Sequence, residues 1–237
     1  MAAVYLLTLR QLFNRWRLVI MSVLAALPVI TAVLVLQSAG APPVDEFEIV
    51  VFSGMLAGSI SPLVVLAIAT TAFANEIEDR TLANLTLAPI PRWQIVVPKL
   101  LAAISVAGPF IALSAFVTSL VGFNGDAIAA IAVTASALIG VALYSSAFVW
   151  LGLVSTQAIG IGLLYVVLWE GFFSGFVAGV RFLSVRFYSL ALMHGFDERR
   201  FAEADNLSFG FAIGASVVVF VGFLLLSIRR LRHMDVP

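Results

Sequence analysis

The sequence predicts an all-α integral membrane protein with six transmembrane helices, and three observations carry that expectation. Hydrophobic residues fill 62% of 237 positions and charged residues only 11%, against roughly 45–50% and about 25% in soluble domains. The apolar residues gather into six runs, approximately 18–37, 50–74, 100–121, 127–155, 158–179 and 207–228, each near the ~20 residues that cross a hydrocarbon core as a helix. The bases divide unevenly between the two sets of connecting segments. The termini and the segments on their side hold nine: Arg10, Arg15, Arg17, Arg80, Arg92, Lys99, Arg229, Arg230 and Arg232. The other side holds four, Arg181, Arg186, Arg199 and Arg200. An excess of Lys and Arg marks the cytoplasmic face. The expectation is one transmembrane domain over 1–237 in the plasma (inner) membrane, with both termini cytoplasmic.

Residues 1–17 precede the first run. Leu6, Leu9, Phe13 and Trp16 share a helical stripe while Thr8, Gln11 and Arg15 face away, the pattern of an interfacial amphipathic helix. Pro28 sits near the middle of the first run and predicts a kink. The second run clusters Gly54, Gly58, Ser59, Ser61 and Pro62, small residues that permit close approach beside a proline that suggests a bend. The third contains Pro109. Gly122–Asp126 reads as a tight turn into a long fourth run rich in Ala and Ser, and Gln157 marks another short connection into the fifth. Residues 180–206 are mixed: Arg181–His194 is apolar with spaced bases and suits a membrane-dipping or interfacial helix, and the rest is polar. No internal repeat or linker divides the chain.

Several chemistries find no residues here. There is no cysteine, hence no disulfide and no thiol nucleophile. His194 and His233 are the only histidines and stand far apart, too few ligands for a metal centre. The H-E-x-x-H and G-x-S-x-G patterns are missing, and so is the P-loop G-x-x-x-x-G-K-[ST]. With a formal net charge of zero, bulk charge argues for no nucleic-acid partner. No catalytic, cofactor or metal site is expected within this chain.

The polar interval Asn75–Lys99, NEIEDRTLANLTLAPIPRWQIVVPK, separates two long apolar runs. Its segment Thr81–Ala88 is long enough for about two helical turns. Asp79 or Thr81 can cap its start, and Pro89 and Pro91 end it. Leu82 and Leu85, with Thr81 and Ala88, form a modestly apolar face. The order Glu-x-Glu-x-x-Thr-Leu, then Leu-x-Leu-Ala-Pro-Ile-Pro-Arg, then Lys just inside the next run, resembles the first intracellular loop of ABC-2 type permeases. These are membrane subunits of ABC transporters with the type V (ABCG-like) fold; family members often have Gly where Arg80 stands. The resemblance implies a cytoplasmic coupling helix between spans 2 and 3 that docks on an ATPase, with Glu76, Glu78, Arg80, Thr81, Leu82, Leu85 and Arg92 as coupling residues. It further implies a separate P-loop ATPase chain carrying ATP and Mg, and a second permease subunit, identical or paired. The function it implies is transport, in the export direction, of a substrate ranging from drugs and lipids to polysaccharides and ions.

Glu170 is the only ionisable residue inside an apolar run, and an acid at membrane depth is a functional hypothesis by default. It falls ~18 Å along the fifth run at ~1.5 Å per residue. Ser174 lies one turn on, and Gly171, Gly175 and Gly179 suggest a ridge for tight packing. Glu170 and Ser174 either line a substrate or proton path or tie helices together through Arg181 or Arg186, and the tie is favoured. Two further classes stand beside the permease. An ion-coupled secondary transporter would show repeats and several midplane polar groups. A non-transporting scaffold or assembly subunit has no excluding feature.

Overall fold

The computed structural model describes residues 1–37, 44–73, 91–174, 178–201 and 207–233. Among these residues the chain is helical, without strands. Its elements are α1 (Ala2–Leu12), α2 (Arg15–Gln37), α3 (Glu48–Phe73), α4 (Trp93–Gly122), α5 (Ala127–Val154), α6 (Ala158–Phe173), α7 (Val185–Phe196) and α8 (Phe209–Arg232). Five of them, α2, α3, α4, α5 and α8, are long and apolar enough to cross a membrane. α6 is described through Phe173, residues 175–177 lie outside the described residues, and a 3₁₀ segment, Ala178–Leu183, leads into α7.

The α4–α5 hairpin is the centre of the bundle. Its turn fits the local sequence: Asn124 and Gly125 adopt positive φ (52° and 84°), the conformation that Asn and Gly tolerate best. Asp126 then caps α5 by accepting from the backbone N–H of Ile128 and Ala129. Those N–H groups, with Arg200 beside them, hold the Asp126 carboxyl below its ordinary range, and Arg200 thereby ties the hairpin to the segment after α7. Phe47, Phe52, Phe123 and Phe201 pack edge to face or stacked around the same end.

The peripheral helices are lipid-like in pattern. On α2 only Met21, Ala25, Pro28 and Ala32 are buried, a single narrow stripe at helical spacing. The remaining apolar side chains of α2, such as Val23 and Leu34, are exposed, as are Val217, Val218 and Leu225 of α8. α1 packs on α4, where the Tyr5 hydroxyl donates to Ser105 Oγ at 3.0 Å. Its buried residues are Thr8 and Leu12, while Leu6, Phe13 and Trp16 of the expected apolar stripe face outward. Thr8 is tolerated inside because its hydroxyl donates to Val4 C=O at 2.9 Å.

Alternation of the helices places α1, the end of α3, the start of α4, the end of α5 and the end of α8 together. The contacts agree: Arg17 Nη1 donates to Thr71 Oγ1 at 3.2 Å, and Trp150 packs on Phe223 with ring centroids 5.5 Å apart. Among the described residues this end carries Arg10, Arg15, Arg17, Arg92, Lys99, Arg229, Arg230 and Arg232 and no acid. The other end carries Glu46, Glu48, Asp126, Asp197 and Glu198 together with Arg181, Arg186, Arg199 and Arg200, so among the described residues bases stand at both ends and acids outside the interior at one.

Close approach depends on glycines at several contacts, among them Gly162 and Gly152. A Cβ on Gly162 would lie 2.1 Å from Leu66 Cδ1, and one on Gly152 would lie 2.4 Å from the Thr70 carbonyl oxygen. The second clash is with backbone, so α3 and α5 must separate to relieve it. Gly152→Ala is expected to cost about 1–3 kcal/mol, the range for overpacking a filled site. Thermal unfolding in detergent should register the loss, whereas Gly160→Ala, with nothing within 4 Å, should leave the midpoint in place.

Candidate functional site: an intramembrane carboxylate at the start of a buried helix

Two stretches of unusually wide helical pitch frame the site. Glu48–Ile60 in α3 and Tyr165–Phe173 in α6 are π-helical, a geometry rare in proteins and frequent at functional sites. In α3 the wide stretch gives way to regular α-helix at Ser61–Ala69, with Pro62 in the first turn. Pro62 has no N–H for the backbone ladder, and it stands at the junction of the two helix types, just after Ser61 N–H donates to the Leu56 carbonyl.

Glu170 is fully buried on α6. Its Oε1 accepts from the Tyr165 hydroxyl at 2.8 Å and from the Val185 backbone N–H at 3.1 Å; its Oε2 accepts from the Ser184 hydroxyl at 2.5 Å. Val185 is the first residue of α7, and the Ser184 side chain makes no cap of its own. The carboxylate therefore caps a neighbouring helix, satisfying one orphan N–H and meeting the positive end of the helix dipole.

Arg186 completes the arrangement. Its Nη1 donates to the Glu170 backbone carbonyl at 3.1 Å, and its Nε and Nη2 donate to Ser53 Oγ at 3.2 and 2.7 Å. The tie between α6 and Arg186 thus runs through the Glu170 main chain, while Ser184 and Val185 hold the carboxylate. Arg181 lies instead over the Phe187 ring at 5.2 Å. Gly58 makes room for Arg186, since a Cβ there would sit 3.3 Å from its Cδ and Nε. The small residues of the second run accommodate an arginine here.

Ser174 is buried, and its hydroxyl donates to the Glu170 C=O at 2.6 Å, away from the carboxylate. Of the expected glycine ridge, Gly175 lies outside the described residues. Gly171 meets only the carbonyl of its own helix at 3.6 Å and Gly179, in the 3₁₀ segment, meets nothing within 4 Å. Beside the site a cavity of about 20 Å³ is lined by Ser61, Ser136, Tyr144 and Ser189 among apolar side chains. Ser61, whose buried hydroxyl has no hydrogen-bond partner among the described residues, and Tyr144 line a space large enough for one water.

The expected coupling residues Glu76, Glu78, Arg80, Thr81, Leu82 and Leu85 lie outside the described residues. Arg92, half-buried, immediately precedes α4, and its carbonyl accepts from Ile95 and Val96. The two stems of that interval are joined. Lys99 is completely buried, its Nζ donates to the Ala72 carbonyl at 2.5 Å, and it lies 4.5 Å from the centre of the Phe73 ring. Sequence reasoning missed Ser53 and Tyr165, whose roles depend on the wide pitch and on the return of α7.

Glu170→Ala leaves Val185 N–H and two hydroxyls without their acceptor, at about 1–3 kcal/mol for each buried group stranded. Glu170→Gln keeps an oxygen for Val185 and Tyr165 and offers Ser184 Oγ a donor. Thermal unfolding should therefore drop sharply for the alanine variant and little for the glutamine variant. Transport by the glutamine variant should fall only modestly; abolished transport in a normally folded protein would place the charge in the mechanism.

The model of the family described as ABC-2 family transporter protein matches residues 13–189, which include α2 to α6, the capping carboxylate and the start of α7. Comparison with curated proteins gave no match. The match spans most of the chain and agrees with the all-helical membrane architecture, so this protein belongs to the ABC-2 transporter family and is a membrane permease component of an ABC transporter.

Proposed function

We propose that the chain is the transport half of an ABC exporter of the type V (ABCG-like) kind, powered by a separate P-loop ATPase that binds ATP and Mg. The ATPase docks at the base-rich end of the bundle, on the coupling interval Asn75–Lys99, and a second permease subunit completes the path. The base-rich end is cytoplasmic and the membrane is the plasma (inner) membrane. The observation that carries this reading is the Lys99 strap. By binding the Ala72 carbonyl, a buried ammonium fastens the start of α4 to the end of α3. A push on the interval between them then moves both helices together. Ion-coupled transport draws no support from Glu170, whose carboxylate is already engaged by three donors.

Two experiments test the proposal. Reporter fusions at residues 45, 85 and 200 should read outside, inside and outside; a residue-85 fusion on the outer face would overturn the coupling role. Charge reversal at Glu78 or Arg80, or Leu85→Asp, should leave the permease inserted and weaken co-purification of the ATPase. The expected loss is about 2–5 kcal/mol, the range for a buried interfacial charge deprived of its partner. Reversal of the exposed Glu198 and Arg199 at the opposite end should leave ATPase binding intact.

A further inference from the structure

At the base-rich end, a groove of about 410 Å³ opens between the last turns of α5 and α8, lined by Trp150, Val154, Leu226, Arg229, Arg230 and His233. We propose that this groove is a binding site for the headgroup of an anionic phospholipid, with one acyl chain lying along α8. The inference needs only that the chain spans a membrane and is independent of the coupling role of the interval Asn75–Lys99.

Charge, depth and shape each contribute. The guanidinium groups of Arg229 and Arg230 make no ion pair among the described residues, and no described acid lies at this end. Bases in the last turn also answer the helix dipole, but that role requires neither a groove nor an aromatic floor. His233 Nδ1 lies 2.9 Å from the Arg229 carbonyl and therefore donates to it, which fixes the ring and leaves Nε2 for another partner. Two guanidinium groups thus converge where a phosphate diester can accept, and arginine suits phosphate by its planar fork of donors.

The floor of the groove distinguishes a lipid from a soluble anion. Trp150 packs on Phe223 and lines the groove at the helix ends, the depth at which tryptophan is enriched in membrane proteins. Val154 and Leu226 are 42% and 44% exposed, and the apolar surface continues up α8 through Leu225, Val221 and Val218, which is 71% exposed. A basic mouth above a continuous lipid-facing stripe matches an amphiphile with a negative head. An acidic protein surface would use the arginines and leave the stripe unanswered.

The test uses the full-length chain, purified in mild detergent, with bound lipid counted by native mass spectrometry and unfolding followed in parallel. Dioleoylphosphatidylglycerol should bind and raise the unfolding temperature, and dioleoylphosphatidylcholine should do so far less. The double variant Arg229→Gln/Arg230→Gln should bind phosphatidylglycerol roughly 30-fold more weakly, the sum of two bases at an anionic surface. Arg10→Gln/Arg15→Gln, equally basic but outside the groove, should match the parent. Should the double variant fold poorly, Arg230→Gln alone gives the same reading at roughly fivefold. Equal weakening by both pairs, or equal binding of the two lipids, overturns the proposal. So does competition by sn-glycerol 1-phosphate as effective as by intact lipid. Loss of ATPase co-purification with lipid retention unchanged would assign the groove to a protein partner and overturn it too.

Discussion

A helix that begins inside a bundle presents unpaired N–H groups where water is scarce, and the structure around Glu170 answers that constraint. α7 starts at Val185, in the interior, with no cap from its own Ser184 side chain. An acid is costly at such depth, but here it meets one main-chain N–H and two hydroxyls. Helix start and buried charge each remove the other's penalty. Once that pair is fixed, Arg186 on the next residue of α7 is brought to Ser53 and the Glu170 carbonyl. Gly58 and the wide pitch of α3 then become requirements of the same packing.

The same constraint explains the many hydroxyls in the apolar helices. Ser119, Thr134 and Ser146 each donate to a carbonyl three or four residues earlier in their own helix, which satisfies them without a partner helix. Lys99 follows the rule in a costlier form. Its ammonium is wholly buried, yet it reaches the carbonyl end of α3, where the helix dipole is negative. Such an arrangement is retained for geometry, because an apolar residue of similar volume would remove the desolvation cost altogether.

The architecture was legible in the sequence to the extent that it rests on composition and local turn chemistry. The apolar runs mark the helices, Asn124-Gly125-Asp126 marks the hairpin turn and its cap, and a lone Glu170 marks the interior site. What escaped depends on returns of the chain. The glycines at 171 and 179 look like one ridge in the sequence, although Gly171 lies in a π-helical stretch and Gly179 in a 3₁₀ segment. Ser53 carries no mark of its function until α7 brings Arg186 beside it. Tyr165 and Glu170, five residues apart, approach in a π-helical stretch, a pitch that α-helical periodicity does not anticipate.

The position of α3 connects the two polar arrangements. Its last turn contributes Ala72 and Phe73 to the Lys99 strap, and its wide first half contributes Ser53 to Arg186. Between them the helix is packed on α5 closely enough that Gly152 cannot carry a Cβ without a clash with Thr70. A tightly packed rod moves as a whole more readily than it bends along its length. The half most able to yield is Glu48–Ile60, where π-type bonding replaces the regular ladder and Arg186 lies against Gly58. Under the proposed coupling role, displacement imposed at the Lys99 end would reach the interior as a shift of Ser53 relative to Arg186. The start of α7, held by Glu170, is the structure that must follow or let go.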